Sequence, residues 1–106
     1  MENTKPIIEL ELYIIRHGQS MGNIERNTDG LSPEDLHDPR LTALGKNQAI
    51  LCGERFKNVE FDAVYSSALL RAVETATEII KKQPNDKAHK ILPYLIPPII
   101  LGSYHL

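Results

Sequence analysis

Residues 9–18 read Glu-Leu-Glu-Leu-Tyr-Ile-Ile-Arg-His-Gly, and residues 61–71 read Phe-Asp-Ala-Val-Tyr-Ser-Ser-Ala-Leu-Leu-Arg. In the first stretch Leu10, Leu12 and Ile14 alternate on one face, and Tyr13 and Ile15 add apolar groups on the other. That pattern predicts a strand over Glu9–Ile15 whose end is buried on both sides. It stops at Arg16-His17-Gly18. The second stretch predicts a short strand over Phe61–Tyr65 that stops at Ser66-Ser67, both expected as helix caps. A helix follows from about Ala68 to Lys82, with Leu69, Val73, Ala76, Thr77 and Ile80 inward, and Pro84-Asn85-Asp86 ends it. Between the two strands, Leu44, Ala49, Leu51, Cys52 and Phe56 recur at helical spacing over Thr42–Lys57, with Thr42 as N-cap. The order strand, helix, strand, helix predicts a parallel pair joined by a right-handed crossover.

This order places chemistry. In open parallel sheets ligands sit beyond the carboxyl ends of the strands. Arg16, His17 and Gly18 follow one strand, and Arg71 opens the helix after the other, so Arg16, His17 and Arg71 are expected on one rim. Two guanidiniums and the free N–H groups of a helix start around one imidazole suit a phosphate. Arg71 stands where a helix dipole disfavours a cation, which points to a task beyond helix stability. Residues 22–40, rich in Asn, Asp, Gly and Pro, form a long loop expected to be functional or mobile. Asn23 reads as a turn former in that loop. Cys52 is expected in the core, and Glu74 is expected to orient or solvate rather than act as an acid.

Composition narrows the classes. The 106 residues hold 12 Lys+Arg against 14 Asp+Glu and one cysteine. One small domain over residues 1–106 is expected. A single cysteine excludes an internal disulfide scaffold. The near-neutral balance argues against nucleic-acid binding driven by bulk charge. All the Lys, Arg, Asp and Glu lie in the first ninety residues, and the tail Ile91–Leu106 has none. That tail is too short and too rich in proline for a membrane-spanning helix. No signal peptide is evident, so a soluble cytoplasmic protein without membrane contact is expected. His37, His89 and His105 stand isolated, without metal-ligand spacing, and no metal or cofactor is expected.

Arg16-His17-Gly18-Gln19-Ser20 with Asn23, then Asp38-Pro39-Arg40-Leu41-Thr42 with Gly45, Gln48 and Ala49, then Phe61-Asp62-Ala63-Val64-Tyr65-Ser66-Ser67 with Leu69, Arg71, Glu74, Thr75 and Ala76, resemble in order the motifs of the histidine phosphatase superfamily, the phosphoglycerate mutase-like clan. The resemblance covers residues 10 to about 82. It implies a three-layer α/β/α fold with a mostly parallel sheet. It also implies phosphoryl transfer from a phosphomonoester through a phosphohistidine at His17. Arg16 and Arg71 would hold the phosphoryl oxygens, Asn23 would contact phosphate or substrate, and Gly18 would allow close backbone approach. A phosphatase is favoured over a mutase, because the Asn23–Asp38 loop is longer than in mutases and lacks their aromatic pattern.

The chain departs from the pattern in two places. The family's Leu-x-Glu…Gly-aromatic stretch, whose glutamate often donates the proton, falls in the tail. There Leu92-Pro93-Tyr94-Leu95 and Gly102-Ser103-Tyr104 flank Ile96–Leu101, without any acid. The later half, with its second histidine, has no counterpart. The fold is therefore expected to be incomplete, a truncated domain with a divergent apolar tail over 91–106, prone to self-association through an exposed sheet edge. Two other readings stand beside the enzyme: a non-catalytic phosphate-binding module, and an inactive fragment.

Overall fold

The computed structural model describes residues 10–24, 31–84, 89–92 and 100–105. Its elements run β1 (Leu10–Ile15), α1 (Met21–Ile24), α2 (Pro33–His37), α3 (Ala43–Arg55), β2 (Ala63–Ser66), α4 (Leu70–Ile80), β3 (His89–Ile91) and β4 (Ile100–His105). The four strands form one sheet in the order β1-β4-β2-β3. β2 and β3 are a parallel pair, and β4 is antiparallel to both β1 and β2. Three strands therefore point one way and one opposes them, in an α/β architecture with a parallel pair as expected.

Which strands pair differs from expectation. β1 and β2 run in the same direction but do not touch, because β4 lies between them, with Ile14 opposite Leu101 and Tyr65 opposite Leu101 from the other side. The stretch expected to be a divergent tail thus supplies a central strand. Its apolar, charge-free composition suits a strand with a neighbour on each side. The adjoining residues 93–99 lie outside the described residues.

β1 shows a second difference. Tyr13 and Ile15 pack against the core, while Leu12 and Ile14 are 58% and 75% exposed. The helical cover lies on the Tyr13 face, where Phe61, Val64, Ala72, Ala76 and Ile79 are buried together. Tyr13, Phe56 and Phe61 meet edge-on or tilted, with ring centroids 5.4–5.7 Å apart, in the geometry aromatic quadrupoles favour. Among the described residues the opposite face at Leu12 and Ile14 is uncovered, so the third layer of the expected sandwich is not present there.

α3 begins where the sequence placed it: the Thr42 hydroxyl accepts the Gly45 N–H at 2.9 Å. Its buried stripe is Gly45, Ala49 and Gly53, while Leu44 and Leu51 face solvent. At the Gly53 end of this stripe the backbones of α3 and α4 come close together. A Cβ at Gly53 would lie 2.9 Å from the Glu78 carbonyl oxygen and 3.2 Å from the Ile79 Cα. This seam also sets the face of α4. Its buried residues are Ala72, Thr75, Ala76, Glu78 and Ile79; Ala76 and Ile80 face the core as expected, Leu69 and Val73 are half-buried, and Thr77 is exposed. Glu54 pairs at the surface with Lys57, three residues on, at 3.1 Å and with Lys82, just beyond the end of α4, at 2.9 Å. Those bonds hold its carboxyl below the usual carboxylate range. Cys52 packs against the core, and burial pushes its thiol up.

Ser66 and Ser67 do not cap α4. The buried Ser66 hydroxyl lies 2.6 Å from Nε2 of His89 and 3.0 Å from the Ser67 carbonyl, and the buried Ser67 Oγ has no hydrogen-bond partner among the described residues. Burial holds the His89 imidazole below its ordinary value of 6.5. A lowered value means that the unfolded chain takes up the proton first as pH falls below that ordinary value. Stability is full above it and declines towards the folded-state value. Urea unfolding between about pH 7 and pH 5 is expected to show this decline, and His89→Gln to flatten it. An unchanged pH slope in the variant would remove His89 from the account.

No helix among the described residues is long and apolar enough to cross a membrane. Also among them, no group of three or more His, Cys, Asp and Glu side chains gathers to hold a metal.

Candidate active site

At the carboxyl end of β1 the chain turns sharply through Arg16–Ser20. The Gly18 N–H donates to Thr75 Oγ1 of α4 at 3.1 Å, and Thr75 Oγ1 donates to the Arg71 carbonyl at 2.7 Å. The Gln19 N–H donates to Gln48 Oε1 of α3 at 2.9 Å. The Gln19 carbonyl accepts the Thr42 N–H at 2.9 Å. The turn is therefore tied to both helices by its backbone. Such ties leave the side chains of Arg16 and His17 to face outward from a fixed frame.

Arg16, His17, Ser20, Asn23, His37 and Arg71 line one open cleft of about 560 Å3, together with Gly22 and Pro39. A smaller adjoining recess of about 350 Å3 is lined by Arg16, His17, Gly18, Gln19, Asn23 and Gln48. The five residues singled out from sequence thus meet in one place. Arg16, His17, Asn23 and Arg71 share the main cleft, and Gly18 lies in the adjoining recess. His89 lies within β3 and lines neither, and the His105 side chain lies outside the described residues.

His17 Nδ1 lies 2.6 Å from the Gly18 carbonyl oxygen. A carbonyl only accepts, so Nδ1 carries the hydrogen and donates it. In the neutral ring Nε2 then holds the free lone pair. Asn23 Oδ1 accepts both the N–H and the hydroxyl of Ser20, at 2.9 and 3.1 Å. Asn23 is therefore a turn former and a cleft residue at once.

The segment before α3 closes the far side. α2 begins with a capping box in which Ser32 Oγ accepts the Asp35 N–H and the Asp35 carboxylate accepts the Ser32 N–H. Burial opposes ionisation of Asp35. The hydrogen bonds from Ser32 and Arg40, including the Arg40 ion pair, outweigh it and hold the carboxyl below its usual range. The Met21 N–H donates to the Arg40 carbonyl at 2.8 Å, and Glu74 Oε1 accepts the Leu41 N–H at 3.0 Å. Glu74 is an orienting group, as expected.

The cap of α4 comes from this segment. Its N-cap position is Leu69, which has no capping side chain, and Asp38 Oδ1 accepts the Leu70 N–H at 2.9 Å from 32 residues away. Asp38→Ala is expected to lower stability by about 1–2 kcal/mol, as loss of a charged cap does. Equilibrium urea unfolding measures it, and a change below about 0.3 kcal/mol would mean the cap contributes nothing. Sequence reasoning missed this cap and also His37. The one signal for either was the position of His37-Asp38-Pro39 just before the Leu41-Thr42 helix start.

The family profile described as "Histidine phosphatase superfamily (branch 1)" matches residues 12–94. A 2,3-bisphosphoglycerate-dependent phosphoglycerate mutase from Bartonella henselae is 39% identical over 77 residues, which are 71% of this chain and 35% of that protein. A probable phosphoglycerate mutase from Salmonella choleraesuis is 41% identical over 71 residues, 67% of this chain and 30% of that protein. The chain thus spans about a third of the length of these curated relatives. Among solved structures, a phosphoserine phosphatase from Entamoeba histolytica in complex with 3-phosphoglyceric acid superposes with a TM-score of 0.57 at 31% identity. The superposition covers 79% of this chain and 37% of that one. A mycobacterial hydrolase shares the fold at a TM-score of 0.60 and 24% identity, over 78% of this chain and 35% of that one.

Proposed function

The chain belongs to the histidine phosphatase superfamily, and from that membership we propose that it carries the phosphoryl-accepting half of a phosphatase site, with His17 as nucleophile towards a small phosphomonoester. The observation that carries this is the His17 ring itself. Its Nδ1–H is engaged by the Gly18 carbonyl at 2.6 Å, and it stands in a cleft that both arginines line.

Nε2 attacks phosphorus as the bond to the leaving oxygen breaks, giving phosphohistidine. The Gly18 carbonyl, held on the Nδ1–H, stabilises the positive charge that the ring gains. Arg16 and Arg71 pair with the phosphoryl oxygens, and their planar donors follow the charge as it spreads over those oxygens in transfer. Asn23 adds an amide donor at the cleft wall. Water then releases phosphate and restores the ring.

A mutase is the second reading, favoured by the names of the relatives and by the 3-phosphoglyceric acid held by the solved phosphoserine phosphatase. It would return the phosphoryl group to another hydroxyl of the same acid. Incubation with p-nitrophenyl phosphate and rapid quenching in base is expected to trap phosphate on His17, located by peptide mass analysis. Phosphate on another residue, or on none, overturns the proposal. Inorganic phosphate as product from 3-phosphoglycerate supports the phosphatase, and an isomeric phosphoglycerate supports the mutase.

A further inference from the structure

Phosphoryl transfer to His17 leaves an alkoxide that needs a proton, and among the described residues lining the cleft one imidazole besides His17 can supply it. We infer that His37 is the acid–base group of this site, a conclusion that rests on the proposed phosphohistidine chemistry and names the residue completing it.

Among the described residues, the ionisable groups lining the cleft are Arg16, His17, His37 and Arg71. Guanidinium does not give up its proton in a protein, so neither arginine serves. The nearby carboxylates are committed elsewhere. Asp35 is buried against Ser32 and Arg40, Asp38 caps Leu70, and Glu74 holds the Leu41 N–H. An imidazole both donates and accepts protons near neutral pH.

His37 is also held in place. It ends α2, whose last turn closes through the Asp38 N–H donating to the Glu34 carbonyl at 2.8 Å. The next side chain, Asp38, is fastened at 2.9 Å to Leu70, the residue before Arg71. On the other side Arg40 is fastened to Met21, beyond the Arg16–Ser20 turn. The backbone around His37 is thus clamped between the two elements that carry the arginines. The imidazole is exposed, so it can exchange protons with water between half-reactions.

The proton balance closes. As His17 Nε2 bonds to phosphorus and the phosphorus–oxygen bond breaks, the leaving oxygen takes the proton of the His37 imidazolium, and an alcohol departs. Neutral His37 then takes a proton from water as the water oxygen attacks the phosphohistidine. The nitrogen–phosphorus bond breaks, its electron pair returns to Nε2, and His37 is charged again.

The test compares two leaving groups on the full chain. p-Nitrophenolate departs without a proton, whereas an alkoxide from glycerol 2-phosphate does not. Read as the rate of His17 phosphorylation before turnover, so that the later release of phosphate does not enter, His37→Gln is expected to slow the alkyl ester by about 10²–10⁴-fold, with a loss on the aryl ester at least about tenfold smaller. Equal losses on both esters, or no loss on the alkyl ester, overturn the inference. Absence of phosphate on His17 in the unsubstituted chain would instead sink the underlying reading. A second measurement needs no turnover. Addition of inorganic phosphate is expected to shift the ring Cε1–H resonances of both His17 and His37. A shift at His17 alone removes His37 from the site and leaves the phosphate reading standing.

Discussion

His17→Ala is expected to abolish phosphate trapping from p-nitrophenyl phosphate and to cut turnover by roughly 10³–10⁶-fold, the range seen when a covalent nucleophile is deleted. The basis is specific to one ring nitrogen. Nδ1 is committed to the Gly18 carbonyl, so Nε2 has no substitute within the turn. The substitution removes no buried apolar contact, because His17 is only half-buried at the rim of an open cleft. Urea unfolding should therefore move by less than about 1 kcal/mol. The separation of the two readouts is the test. Loss of activity together with loss of folding would make His17 a structural residue. Retained labelling would place the nucleophile elsewhere. His17→Asn is a useful companion, since it preserves size and polarity but has no ring nitrogen to attack phosphorus.

Why so much of this site could be read from sequence is itself physical. Arg16 and His17 directly follow an apolar run, and Arg71 directly follows a strand-to-helix turn. Positions at the ends of regular elements inherit their location from those elements, so local pattern was enough to bring Arg16, His17 and Arg71 to one rim. Thr42 was legible for the same reason, since an N-cap acts within its own first turn. The features that escaped all depend on distant partners. Asp38 caps a helix that begins 32 residues later. The slot of β4 follows from register between strands separated by most of the chain, and no periodicity within Ile100–His105 encodes its neighbours. The exposed side of β1 follows from which face the helices cover, so Leu12 and Ile14, the alternating pair in sequence, are the ones left in solvent. His37 was judged by metal-ligand spacing, and that criterion has no bearing on a lone imidazole brought to the cleft by its anchored neighbour.

The glycines give the second large effect, and its sign is the informative part. Gly45 lies in the first turn of α3, where Gly→Ala ordinarily stabilises a helix by up to about 1 kcal/mol. Here the backbone of the Arg16–Ser20 turn lies directly against it. A Cβ at Gly45 would stand 1.9 Å from the Gln19 carbonyl oxygen and 2.8 Å from the Gln19 nitrogen, and a Cβ at Gly18 would stand 2.3 Å from the Gly45 carbonyl oxygen. Both obstacles are backbone, so no side-chain rotation relieves them. Gly45→Ala is expected to destabilise by about 3 kcal/mol or more, as forced overpacking at a rigid contact does. It is also expected to weaken phosphate binding, because the displaced Gln19 carbonyl and N–H hold the turn to Thr42 and Gln48. Two other glycines calibrate the scale. At Gly53 the added carbon would meet Glu78 backbone at 2.9 Å, an intermediate clash on the α3–α4 seam that leaves the turn untouched. At Gly22 it would meet only the Pro39 ring at 3.0 Å. Urea unfolding should therefore rank the alanine variants with Gly45 most damaging, Gly53 next and Gly22 least. Of the two α3 variants, Gly45→Ala should weaken phosphate binding and Gly53→Ala should not. An alanine at 45 that raises stability would show that the turn and the helix are not in contact, and the clamp that fixes Arg16 and His17 against α3 would have to be abandoned.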